Sequence, residues 1–170
     1  SVFMNSNLMT NKIYVLKFDS AGTLLWNKAY LPLPVDSLKL ISTSLFAKGF
    51  RIVELENGGY IVAAHSDWYN ATDIYSYFVM RIDAVGNQIW SKTFETYYSC
   101  CNDATLRSLC IWKENNIEKG ILVTGTMQDY NFNSGAYNVA AIKIDLNGNL
   151  IWEKLYGNNS FNNYSTDAKQ

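Results

Sequence analysis

Proline, histidine and cysteine are scarce in this chain of 170 residues, and neither sign of charge dominates. The 14 Lys and Arg stand against 15 Asp and Glu, for a net charge of -1. The basic residues are scattered, which argues against a nucleic-acid partner, because phosphates are neutralised by grouped cations. No apolar run approaches the roughly 20 residues that a spanning helix needs, so no membrane insertion is expected. The one histidine, His65, would have to serve any Ser-His or Cys-His chemistry. No nucleophile motif lies near it, and a structural or solvent-facing role at the end of a strand is expected. Cys100, Cys101 and Cys110 lack the CxxC spacing of a zinc site. A bridge from Cys100 or Cys101 to Cys110 would form in an oxidising compartment; buried free thiols fit equally. No catalytic residue, metal or cofactor is expected. No signal peptide is recognisable, and because Ser1 rather than Met opens the sequence, the natural start is expected to lie upstream.

Aromatic residues are abundant: 12 Tyr, 8 Phe and 5 Trp make up 15% of the chain. With only two prolines, that balance favours strands, since aromatic side chains suit a pleated, packed surface.

An internal repeat organises the sequence. Residues 14–30 read YVLKFDSAGTLLWNKAY, 78–94 read FVMRIDAVGNQIWSKTF, and 140–156 read AAIKIDLNGNLIWEKLY. Each copy keeps a basic residue, an apolar residue, Asp, two variable positions, Gly, three more, Trp, one more, Lys, and a later aromatic. Asp19, Asp83 and Asp145 stand 64 and 62 residues apart. Phe78, Met80 and Ile82 alternate before the turn with the period of a strand. In the D-x-x-G turn, Asp accepts bonds from the backbone just ahead and Gly takes a positive φ. The following strand carries Trp and Lys two residues apart, hence on one face.

A second type of hairpin lies between the copies. Residues 50–66 read FRIVELENGGYIVAAHS, with Asn57, Gly58 and Gly59 as the reversal. Its counterpart spans about 106–127, with KENNIEKG read as a longer turn. The unit is therefore four antiparallel strands. Both faces of such a small sheet are partly apolar and must be covered by neighbours; radial stacking achieves this and leaves only short edges. The expected fold is an all-β fragment of a β-propeller: a partial blade at 1–30, blades at 49–94 and 105–156, and a connection toward the next blade at 157–170. Two blades are complete and two partial, so the remaining blades of the parent chain are expected partners.

The pattern carried by Lys17, Asp19, Gly22, Trp26 and Lys28 and their copies resembles the tandem β-propeller repeats of secreted and cell-surface proteins of Bacteroidota, many of them cargo of the type IX secretion system. The resemblance covers nearly the whole chain and implies an extracellular or cell-surface location. It is specific for architecture and nearly silent on activity. Three positions separate Asp from Gly here, against one more in quinoprotein repeats and two in the Asp-box of sialidase-like propellers. Neither quinone nor glycosidase chemistry is inferred.

The conspicuous polar residues have competing readings. Asp19, Asp83 and Asp145 are read as turn caps rather than as metal ligands or catalytic acids. The calcium-like run from Asp145 to Asn149 lacks its oxygen ligands in the other two copies, DSAGT and DAVGN. Trp26, Trp90 and Trp152, one per unit, are read as packing between blades rather than stacking on sugars. The sequons at Asn70, Asn158 and Asn163 carry little weight in so Asn-rich a chain.

In an antiparallel meander, successive connections alternate between the two strand ends. The turns at Asp19, Asn57, Asp83, Glu114 and Asp145 thus share one face, and the long connections at 31–48, 67–76, 95–105, 128–138 and 157–167 share the other. Trp68, Tyr69, Tyr97, Tyr98, Tyr130, Phe132 and Tyr137 lie among Asn, Ser and Asp in these connections, as do Phe161 and Tyr164. They are the candidate ligand-binding residues, since rings offer apolar contact while amides and hydroxyls give direction. Equally, they can fold back and pack their own loops. The expected role is a non-catalytic adhesin or scaffold module contacting glycan or protein. The alternatives are a structural array that spaces other domains, and part of an enzyme whose catalytic residues lie in other blades.

Overall fold

The computed structural model describes residues 12–31, 44–69, 75–95, 105–128, 137–157 and 167–168, and within them there are ten strands and no helix. In chain order these are β1 (Ile13–Phe18), β2 (Leu24–Tyr30), β3 (Ser44–Glu54), β4 (Tyr60–Tyr69), β5 (Tyr75–Ile82), β6 (Gln88–Glu95), β7 (Thr105–Glu114), β8 (Ile117–Gln128), β9 (Tyr137–Asp145) and β10 (Leu150–Tyr156). They form three antiparallel sheets. The first is the hairpin β1-β2, the second the meander β3-β4-β5-β6, and the third the meander β7-β8-β9-β10. The sheet boundaries follow the repeat, with a D-x-x-G hairpin forming the last two strands of each unit.

The turns form because their residues engage the local backbone. The amide of Asp83 donates to the carbonyl of Asn87 at 2.9 Å, and that of Gly86 to the carbonyl of Asp83 at 3.1 Å. The same two bonds recur in the Asp19 and Asp145 turns. Gly22, Gly86 and Gly148 have φ of 84°, 81° and 78°, a left-handed conformation that a Cβ penalises. Each hairpin also shifts register beside its turn, at Lys17/Phe18, Arg81/Ile82 and Leu150/Trp152. Beyond this shared irregularity, Trp26 with Lys28 and Trp90 with Lys92 take the same aim.

Several sequence boundaries move. The turn between β7 and β8 is not long: the strands pair up to Glu114 and Ile117, leaving only Asn115 and Asn116. Both have positive φ, 52° and 61°, the pattern of a type I′ turn that asparagine tolerates. The ladder also extends beyond the expected 49 and 66. Ser44 pairs with Tyr69, Leu45 with Trp68, and Asp67 with Tyr75. Trp68 and Tyr69 are therefore strand residues at the end of β4, and Tyr137 opens β9, where long connections were expected. His65 lies within β4 rather than at its end.

Two apolar layers hold the sheets face to face. Ile13, Val15 and Tyr30 of the first sheet pack on Val62, Ala64, Phe78, Met80 and Ile82 of the second. On its other face, the second sheet presents Leu55, Ile61, Ala63, Tyr77 and Val79 to Leu106, Ile121, Val123, Ala140, Ile142 and Ile144 of the third. Residues 77–80 are thus buried without alternation, since β5 is covered on both sides. Each fully buried aliphatic or aromatic side chain of this kind stabilises by about 1.5–3 kcal/mol.

Candidate functional site

At the turn end, the repeated Asp, Gly, Trp and Lys build a joint between sheets. One Asp83 carboxylate oxygen accepts from the amides of Val85 (3.0 Å) and Asn87 (2.7 Å), and the other from the Asn87 side chain (3.0 Å). Asp145 does the same with the amides of Asn147 and Asn149, and Asp19 with those of Ala21 and Thr23. These bonds lower all three carboxyls below their ordinary value. The amide of Thr23 is the main cause for Asp19, and that of Asn87 for Asp83. For Asp145, desolvation is the largest single influence and pushes upward, but the bonds from Asn149 and Asn147 and the charge of Lys92 together bring the net shift downward.

The Asp83 and Asp145 turns each receive the Trp and Lys of the preceding sheet. The indole N–H of Trp26 donates to the carbonyl of Ala84 (3.1 Å), and Lys28 Nζ donates to Asn87 Oδ1 (3.4 Å). One repeat later, Trp90 donates to the carbonyl of Leu146 (3.0 Å), and Lys92 to Asn149 Oδ1 (3.2 Å). A Cβ on Gly86 or Gly148 would lie 3.1 Å from the ring of Trp26 or Trp90, a tight contact that would push the indole outward by a few tenths of an ångström, so glycine favours the seating of the ring as well as the positive φ. Tyr30 adds a 2.6 Å bond from its hydroxyl to the carbonyl of Gly86. Arg81 donates to Leu146, doubling the load on that carbonyl. The reading of the aspartates as caps and of the Trp as inter-sheet packing therefore holds at Asp19, Asp83 and Asp145 and at Trp26 and Trp90. Trp152 is the exception, with no further sheet described beside it.

The inner strands add two contacts that the sequence pattern did not announce. Lys113 Nζ lies 2.7 Å from Glu56 Oε1, and the Glu118 carboxylate accepts from the Glu56 amide at 3.1 Å. Glu56 lies in the turn between β3 and β4, and Lys113 and Glu118 are paired strand residues beside the β7-β8 turn of the adjacent sheet, but nothing in a single repeat reveals that they meet. His65 is buried, and its Nδ1 accepts the amide of Leu106 across the sheets at 3.3 Å. It serves a structural role.

The opposite strand end differs in chemistry. Trp68 and Tyr69 close β4 there, and the half-buried Tyr137 opens β9. Tyr97, Tyr98, Tyr130 and Phe132 fall outside the described residues, as do Cys100 and Cys101; Cys110, on β7, is a free thiol that burial pushes up. Near the same end, Tyr77 Oη, Thr124 Oγ1, Thr126 Oγ1 and Asn138 Oδ1 are buried without a hydrogen-bond partner. Such groups are uncommon in folded proteins and mark where a water or ligand is called for. Sequence reasoning missed them because Thr and Asn inside a strand carry no signal of burial. A separate cleft of about 220 Å³ opens along β1, lined by Ile13, Tyr14, Val15, Leu16, Arg51, Ile52 and Val62. Ile13, Tyr14, Val15 and Leu16 belong to β1, which pairs on one side only among the described residues, while Arg51, Ile52 and Val62 come from β3 and β4 of the second sheet.

Among the described residues, no group of three or more His, Cys, Asp or Glu is placed to hold a metal ion, and no helix is long and apolar enough to cross a membrane. Comparison with protein-family models and with curated proteins returns no match.

Proposed function

We propose that the chain is a segment of a β-propeller that acts as a non-catalytic, secreted or cell-surface binding module. The ligand-binding surface in this reading is the end of the strands from which the long connections leave, and the ligand is a glycan or a protein. The remaining blades of the parent chain are its covalent partners.

One observation carries the proposal. The repeated polar residues of the turn end are engaged in joining sheets, through Asp83 and Asn87 to Lys28 and through Asp145 and Asn149 to Lys92. They are thereby engaged in structure, which leaves the aromatic- and amide-rich end for ligand recognition. The propeller reading is supported by the repetition of one joint in successive sheets, because a joint repeated head to tail generates a ring where its rotation closes.

The test is a glycan array and a panel of extracellular matrix proteins, probed with the wild-type chain and with two variants. Tyr97→Ala/Tyr98→Ala and Tyr130→Ala/Phe132→Ala should each abolish binding, whereas Ser20→Ala at the turn end should leave it intact. Loss of binding in Ser20→Ala with retention in both aromatic variants would overturn the assignment, as would the absence of any bound glycan or protein.

A further inference from the structure

His65 is the one histidine of the chain, and it sits in the interior of the stack, where a complete four-stranded sheet lies on either side of it. It is 8% exposed, and its Nδ1 accepts the amide of Leu106, itself 2% exposed, at 3.3 Å. The bond runs from β7 of the third sheet to β4 of the second. A ring nitrogen that accepts a hydrogen bond carries no proton, so this contact requires the neutral imidazole with its proton on Nε2. Nδ1 has a single lone pair, which either the Leu106 amide or a proton can occupy.

The repeat itself does not call for histidine here. Thr126 stands at the same position one unit later: it pairs with Val139 as His65 pairs with Tyr77, and Tyr77 and Val139 are equivalent residues. A hydroxyl can accept a hydrogen bond at any pH, whereas an imidazole does so only above its own titration. The other bonds that cross between sheets come from donors that keep their protons throughout the neutral and mildly acid range. Trp26 and Trp90 donate through indole N–H groups, and Arg51 Nε donates to the carbonyl of Arg107 at 3.0 Å. One contact between the second and third sheets is therefore sensitive to mild acid while the bonds around it are not.

We infer that His65 is a pH-sensitive latch between the second and third sheets: the neutral ring holds the Leu106 amide, and a proton taken from water onto Nδ1 releases it. Release leaves a buried amide without its acceptor and a charge in an apolar layer, and both costs are relieved when the sheets part locally and water enters. The ionisable groups around the latch come from five strands. Lys48 on β3 and Tyr77 on β5 are the ladder partners of His65, and Asp67 follows two residues along β4. Arg107 adjoins Leu106 on β7, Tyr137 opens β9, and residues 121–127 of β8 carry no ionisable side chain. On β10, Glu153 acts through its charge on Tyr77, and desolvation raises its own carboxyl toward the acid end of the histidine range. Glu153 is accordingly the group that the test must separate from His65. Past the latch, β4 runs on to Trp68 and Tyr69, but the latch is a property of the sheet contact and stands whether or not that end binds a ligand.

Nuclear magnetic resonance of the 170-residue chain between pH 7.5 and 5.0 tests this, a window that brackets the ordinary imidazole value of about 6.5. With one histidine, the ring nitrogen signals need no assignment. They should pass from the neutral form protonated on Nε2 to the imidazolium. The Leu106 amide, corrected for the intrinsic effect of pH on exchange, should exchange faster in step with the ring, by up to about tenfold per unit of pH. The amides of Ile121 and Val123 on β8 should keep their protection. His65→Asn, which retains a side-chain acceptor but does not titrate, should abolish the pH response of Leu106, and Glu153→Gln should leave it as in wild type. The wild-type titration decides the matter even if a variant fails to fold. A ring that stays neutral to pH 5.0, a Leu106 amide indifferent to ring protonation, or equal loss of protection at Ile121 and Val123 would each overturn the latch. So would a response that persists in His65→Asn or vanishes in Glu153→Gln.

Discussion

The indole N–H of Trp90 and the backbone carbonyl of Leu146 lie 3.0 Å apart across two sheets, and Trp26 holds the same relationship to Ala84. A residue that reads in the sequence as one aromatic in a repeat is a donor aimed at the turn of the next unit. Removing the ring should cost both the bond and the packing on Gly148. Trp90→Ala is expected to destabilise by about 2–4 kcal/mol and Trp90→Phe, which keeps most of the ring, by about 1 kcal/mol. Urea unfolding curves compared at a common slope measure both.

The first and second copies of the turn glycine separate backbone strain from interface packing. Gly22→Ala meets only the left-handed penalty of about 1–2 kcal/mol. Gly86→Ala meets that penalty and also crowds the Trp26 ring, adding about 1–3 kcal/mol of overpacking. The expected order of thermal midpoints is wild type, then Gly22→Ala, then Gly86→Ala. Equal midpoints for the two variants would remove the indole from the explanation.

A third glycine gives a coupled pair. A Cβ on Gly125 would collide with the hydroxyl of Tyr77 and the carbonyl of Thr105. The Tyr77 hydroxyl is buried without a partner, so Tyr77→Phe removes an unsatisfied polar group and should be neutral or stabilising by up to about 1 kcal/mol. Gly125→Ala alone should destabilise by about 2–4 kcal/mol, and by less in the Tyr77→Phe background, because the nearest of the three clashing atoms is gone while Tyr77 Cζ and the Thr105 carbonyl remain. A double-mutant cycle by chemical denaturation reads the coupling.

The turn carboxylates set the acid side of stability. Asp19 and Asp83 are held below the ordinary carboxylate value, chiefly by the amides of Thr23 and Asn87, and Asp145 is held there by its turn amides against an upward pull from desolvation. A carboxyl whose value falls on folding contributes stability that is fully present above the unfolded value, about 4, and is lost as pH falls through the folded value. The urea midpoint of wild type should therefore decline as pH is lowered from 5 toward about 2. Asp83→Asn should decline less steeply over the same window, since the amide does not titrate.

The hairpins and their turns were legible in the sequence because their determinants are local. Asp19, Gly22 and the positions around them act within five residues, and the alternation in 78–82 marks a strand without reference to anything distant. The four-strand unit was legible because the repeat displays the pattern three times. What escaped depended on partners remote in sequence. Nothing around Asn115 shows that the strands continue to Glu114 and Ile117, because that depends on pairing with β8 rather than on turn chemistry. Nor does Trp68 reveal that the ladder with Leu45 carries it into β4. The pairing of Glu56 with Lys113 and the burial of Tyr77 and Asn138 arise only once sheets stack. Of the candidate ligand residues, Trp68, Tyr69 and Tyr137 are brought to one end of the strands by topology, a placement that the parity of antiparallel connections anticipated.

Hydrogen exchange of the indole protons tests most directly whether the repeated Trp is a joint. In the 170-residue chain, the indole N–H signals of Trp26 and Trp90, which donate to the carbonyls of Ala84 and Leu146, should exchange slowly, and that of Trp152 faster than either. If all three exchange alike, or if Trp152 is the protected one, the repeat does not couple sheets in the way described.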